Sequence, residues 1–164
     1  MRHSRPDAIE LFKRRDIAGL IEALDAEDVA DRRANDARVA LSLIGAPAIP
    51  LLIPELGRNR GAAGQVTLTS FKCHRARIAM AGMGEPAVPA LMDAIRFGDA
   101  RLAEGAAECL EAIEEGGVVL LDPGAPTRPV PVVYPDDVKA AFACKLGRPL
   151  SPRSLWRASS NLTP

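Results

Sequence analysis

The strongest constraint on this chain is an internal duplication. Residues 37–53 read ARVALSLIGAPAIPLLI, and residues 76–92 read ARIAMAGMGEPAVPALM. The two align without a gap at an offset of 39 residues, with 8 identities in 17 positions. Most of the other positions exchange one apolar residue for another. Such self-similarity marks a repeat architecture, in which one unit cannot bury its apolar face alone and neighbouring units share a core.

The physics of the unit is legible residue by residue. Val39, Ala40 and Ile44, with their equivalents Ile78, Ala79 and Met83, follow a helical apolar spacing. Gly45 and Gly84 stand where a helix C-terminus takes a left-handed residue. Pro47 and Pro86 come two residues later, where proline opens a helix because its missing N–H has no partner to lose. Pro50 and Pro89 fall near the first turn, which still tolerates proline. Leu52, Ile53 and Leu56, matched by Leu91, Met92 and Ile95, form the apolar stripe of a second helix. Each unit reads as helix, tight turn, helix.

Weaker copies flank this pair. Residues 17–24 match the second helix, and residues 99–113 match the first at an offset of 30 residues. The longer spacing of the central pair is accounted for by an insertion at 57–65 (GRNRGAAGQ), whose glycines and arginines suit a surface loop. Helices are therefore expected over 7–14, 17–25, within 28–44, 47–56, 66–83, 86–97 and 99–115. Ile9, Leu11 and Phe12 are available to the core, and Asp16 is placed to cap the second helix.

Composition agrees with this reading. With 164 residues the chain is of single-domain size and can bury about two-thirds of its unfolded surface. It holds 28 alanines and only 4 % aromatic residues, which favours close helix–helix contact over a β-sandwich. The expected fold is all-α: a short right-handed α-solenoid of about three and a half helical hairpins, followed by a C-terminal extension.

At the level of motifs, residues 99–113 (DARLAEGAAECLEAI) resemble the D-x-x-V-R-x-x-A-A-x-A-L-x-x-I helix of HEAT-like repeats, in particular the short type found in phycobilisome-lyase-like proteins. Residues 84–91 (GEPAVPAL) are similar to that family's G-D-x-x-A-V-P-x-L turn and second helix. The resemblance spans residues 7–115. It departs at Ala103, where the family carries arginine, and at Glu114, where a glycine is expected, as a terminal repeat would.

Gly116 and Gly117 end the regular part, dividing the chain into a repeat domain (1–115) and an extension (116–164). Two β-prone runs, 118–121 and 130–134, flank a turn-rich stretch, and fit either a small hairpin or a proline-rich strap. Residues 136–146 (DDVKAAFACKL) form a further helix with Val138, Phe142 and Leu146 on one face. This capping helix is the expected partner of 99–115. Ser151 and Pro152 are placed to start a last turn carrying Leu155 and Trp156, before a frayed end.

Little in the chain points to chemistry. Cys73 and His74 are adjacent, but neighbours on a helix point about 100° apart, so a buried cysteine beside a surface histidine is expected. The three cysteines, Cys73, Cys109 and Cys144, are read as reduced and mostly buried. No Asp/Glu/His cluster has metal-ligand spacing. The 57–65 insertion lacks the Lys-Ser/Thr pair of a phosphate loop. Glu104, Glu108 and Glu111 read as a solvated helix face, and Arg38 and Arg77, at equivalent repeat positions, as stacking or pairing residues.

Lys plus Arg and Asp plus Glu are equal at 21 each, which opposes a bulk-basic nucleic-acid binder. The charges are nonetheless uneven, with a basic stretch at 55–80 and an acidic one at 81–122. They serve either to steer a partner or to pair between adjacent helices. The N-terminus carries charges and no apolar signal-type segment, and no run has the length of a membrane span. A cytoplasmic protein with no membrane role is expected.

The resemblance implies a non-catalytic interaction or scaffold module without a cofactor. A protein or peptide partner would lie on the concave ladder of second helices. Exposed ladder positions Glu22, Glu55, Asp93 and Arg96, with Arg58 and Arg60 on the inserted loop, are the expected contacts. Bilin or other cofactor handling is the alternative that the lyase-like repeats imply, and nucleic-acid binding is the third.

Overall fold

Apolar stripes at helical spacing, set among alanines, fold into eight α-helices among the described residues. The computed structural model describes residues 7–25, 31–57, 70–116 and 130–150, and no strand occurs among them. The helices are α1 (Ala8–Lys13), α2 (Ile17–Ala23), α3 (Arg32–Ile44), α4 (Ile49–Gly57), α5 (Ser70–Met83), α6 (Val88–Phe97), α7 (Ala100–Glu114) and α8 (Asp136–Leu146). Three of them begin on an aspartate that accepts the backbone N–H three residues on. Asp16 takes Gly19 at 2.9 Å, Asp31 takes Ala34 at 2.8 Å, and Asp99 takes Leu102 at 2.8 Å. Each such cap contributes about 1 kcal/mol.

The duplicated sequence produces a duplicated backbone. Gly45 has φ 71° and ψ −135°, and Gly84 has φ 69° and ψ −136°. Positive φ is what the helix ends require, but ψ lies far from the left-handed helical value. The chain passes directly into a 3-10 turn, Ala46–Ala48 or Glu85–Ala87. Ala48 N–H closes on Gly45 O at 2.9 Å, and Ala87 N–H on Gly84 O at 3.0 Å. Pro47 and Pro86 sit inside these turns rather than at the start of the α-helices, which begin two residues later. The tighter i→i+3 turn swings the chain within one short step, and the axis changes direction by 114° between α3 and the segment Ala46–Gly57.

This swing decides the packing. The odd helices α1, α3, α5 and α7 touch in order, and so do the even helices α2, α4, α6 and α8. Helices α2, α4 and α6 also pack against odd helices further along the chain: α2 on α3, α4 on α5 and α7, and α6 on α7. Leu20, Leu41, Leu52, Met80, Leu91 and Leu110 are buried where the two rows meet. Ala37, Ala76, Ala79, Ala103 and Ala106, also buried, keep the odd row thin. The rows approach closely at Gly105, where an added Cβ would lie 2.5 Å from the Leu56 carbonyl oxygen at the end of α4.

The ends depart from expectation in part. In α1 only Ala8 and Leu11 are buried, and Ile9 and Phe12 are exposed, because its neighbours α2 and α3 cover one narrow face. At the other end α8 packs on both α6 and α7, with Val138 and Phe142 buried, as its apolar face predicts. Residues 130–134, the second β-prone run, take neither strand nor helix. Val132 and Tyr134 point inward, Val133 is exposed, and Val130 N–H reaches Ile113 O at 3.3 Å. Pro131 and Pro135 lack the N–H that strand pairing needs. Residues 58–65, 118–121 and 151–164, on which the inserted loop, the first β-prone run and the last turn fall, lie outside the described residues.

Candidate functional site

A cleft of about 410 Å³ opens where α2 meets the starts of α3 and α5. It is lined by Leu11, Asp16, Gly19, Glu22, Asp25, Arg33 and Lys72. The Asp16 carboxylate is held by its cap to Gly19, so it faces the cleft in a fixed pose. Glu22 and Asp25 are exposed, Arg33 is half-buried, and Lys72 Nζ stands 3.7 Å from Glu55 Oε2. Three carboxylates and two cations thus share one concave surface.

Glu55 corrects the sequence reading. It was expected on an exposed ladder position, but it is only 6 % exposed. Helix α4 turns this side inward because it packs on α5 and α7, and Lys72 supplies the counter-charge that burial demands. Glu55 therefore faces Lys72 at the edge of the cleft and does not present an exposed carboxylate. The sequence held a signal for the basic pair: Arg33 and Lys72 stand one repeat offset of 39 residues apart.

Asp93 and Arg96 lie elsewhere, at the junction of α6 and α8. Arg96 Nε donates to Asp137 Oδ2 at 2.6 Å, and Nη1 donates to Asp93 Oδ1 at 2.9 Å. The Arg96 hydrogen bonds hold the Asp137 carboxyl below its ordinary range, and the two carboxylates hold the Arg96 guanidinium charged. Lys145 Nζ adds bonds to the carbonyls of Ile95 and Arg96 at 2.5 Å and 2.7 Å, closing the C-terminus of α6. Arg96 is thus engaged in clamping α8 to α6, while Asp93 keeps an exposed side. Arg58 and Arg60 lie outside the described residues.

The acidic face of α7 is paired. Arg77 forms an ion pair with Glu108, and Arg148 Nη2 lies 3.2 Å from Glu104. These contacts replace the solvated face expected from spacing alone. Arg77 and Glu108 also line a niche of about 150 Å³ with His74, Ile78, Ala81, Cys109 and Ala112. Cys73 is buried and its Sγ lies 3.2 Å from the Leu56 carbonyl, whereas His74 is exposed, so the two do not form a nucleophile–base pair. Cys109 is buried too, but Cys144 is exposed, contrary to its expected burial, because α8 caps the stack with only one face.

Among the described residues no group of three His, Cys, Asp or Glu side chains could hold a metal ion. No single described helix is long and apolar enough to cross a membrane. The chain matches no family model, no curated protein and no solved structure.

Proposed function

We propose that the chain is a short right-handed α-solenoid of HEAT-like hairpins, acting as a non-catalytic protein–protein interaction module. The observation that carries this reading is the unbroken order of contacts α2–α4–α6–α8. A row of helices touching in sequence offers one continuous surface, the usual docking face of stacked repeats. The matching turns at Gly45 and Gly84 support the same reading, since repeated joints place successive units alike.

The partner is a protein or peptide that meets the charged cleft at the α2 end. Glu22, Asp25, Arg33 and Lys72 give it groups of both signs, which favours a segment of mixed charge over a uniformly anionic one. The exposed Leu51 and Phe97 belong to the same row and add apolar area. Asp93 extends the contact towards α8, and Arg58 and Arg60 flank it from the inserted loop.

The test is cross-linking of the tagged chain to a purified, identified partner, followed by titration of the double variant Glu22→Lys, Asp25→Lys. Both residues are exposed, so the fold tolerates the change. Cross-links on α2, α4 and α6 and an affinity loss of about tenfold are expected. Cross-links confined to the odd helices, with unchanged affinity, would overturn the assignment.

A further inference from the structure

We propose that α1 and the outer side of α3 form a two-fold interface with a second copy of this chain, on the odd row and apart from the docking face. A groove of about 310 Å³ runs between the two helices. Its apolar part is Ile9, Phe12, Val39, Ala40 and Leu43, and it shares no residue with the cleft at α2. Asp36, Val39, Ala40 and Leu43 have the i, i+3, i+4, i+7 spacing of a helix face that meets another helix. Helix α1 has 6 residues and α3 has 13, so α1 covers only part of that face. Leu43 is left 71 % exposed and Ile9 55 %.

The duplicated unit shows that this patch is not a property of the fold. Leu43 corresponds to Gly82 in α5 and to Ala112 in α7, and Val39 corresponds to Ile78 and then to Glu108. At Gly82 an added Cβ would lie 2.9 Å from Ser42 Oγ, so α3 itself occupies that place in the α3–α5 step. In the α1–α3 step the same place carries a leucine turned to solvent. On α7 the outer position is charged, and Glu108 pairs with Arg77. Exposed apolar bulk is thus concentrated where the row begins.

The patch fits its own image. A two-fold interface sets residue i against j and j against i, so it needs a projection and a recess on one surface. Leu43 is the projection, and the small, buried Ala40 beside Val39 is the recess. An axis between Val39 and Leu43 seats each Leu43 over the Ala40 of the other copy. Charge agrees with this. Arg32 Nε lies 3.8 Å from Asp36 Oδ2 on the same helix, so the polar part of the groove is neutral and like charges do not gather when two copies meet. A partner of a single sign would gain nothing there. Helices α1 and α3 of both copies then stack as a four-helix layer, with an apolar centre and a polar rim.

The experiment is sedimentation equilibrium of the full chain over a concentration series. A monomer–dimer equilibrium with a Kd of roughly 10 μM is expected. Leu43→Asp, which brings two carboxylates to the axis, should raise that Kd by about tenfold or more. Val133→Asp, at another exposed apolar residue, should leave it unchanged. Because Leu43 is exposed, the dilute variant should unfold at the same Tm as the dilute parent. The Tm of the parent should then climb with protein concentration, and that of Leu43→Asp should not. A parent that stays monomeric at about fifty times the expected Kd would overturn the proposal. Equal losses in the two variants, or association running on past the dimer, would do the same.

Discussion

His74 shows how one side chain couples to the charges around it. The niche gives it Arg77 Nη2 at 3.4 Å and Glu108 as a further lining residue, and the charges of Arg77, Arg75 and Arg38 act on its ring. Because its folded pKa lies below the ordinary 6.5, the unfolded chain binds the proton more readily. Stability from this group is present above pH 6.5 and is lost as pH falls below it. His74→Gln should therefore flatten the decline in urea midpoint between neutral and mildly acidic buffer, relative to the parent. Equal slopes for parent and variant would contradict this. At this scale the sequence was only partly legible. The aspartate cap at Asp16 and the divergence of Cys73 from His74 follow from local rules. The burial of Glu55 and the pairing of Glu104 and Glu108 depend on which neighbour arrives from a distant helix, and local spacing does not contain that.

Among the elements, the close crossing of α4 and α7 is the most sensitive point. Gly105 leaves room for the Leu56 carbonyl, and Cys73 approaches the same oxygen from α5. Three helices thus converge on one backbone group. Gly105→Ala gains helix propensity, but its methyl group would enter the space of that oxygen. A net loss of about 1–3 kcal/mol is expected from chemical denaturation. Helix positions were largely legible, because apolar periodicity and glycine punctuation are local: α8 covers 136–146 as the sequence indicates. The entry to α4 and α6 was not. Proline at the first helical position and proline in a 3-10 turn satisfy the same local rule, and only the dihedrals of Gly45 and Gly84 distinguish them.

For the molecule as a whole, α8 closes the stack. Phe142 is 1 % exposed and lies on the helix that covers both α6 and α7. Phe142→Ala should cost about 3–5 kcal/mol and lower Tm by a measurable step. A loss near zero would show that the cap contributes nothing to the shared core. The all-helical class and the duplicated unit were legible because both rest on periodicity. The order of packing was not, since the sequence presents α3 and α4 as one hairpin.

That order has a consequence for the chain while it is being made. Helix α4 rests on α5 and α7, so residues 49–57 emerge from the ribosome well before Gly105 and its surroundings exist to receive them. The apolar side of α4 must wait, uncovered, through the synthesis of two further helices. Released chains truncated just after Gly57 should therefore recruit holdase chaperones more strongly, per chain, than released chains truncated after Glu114.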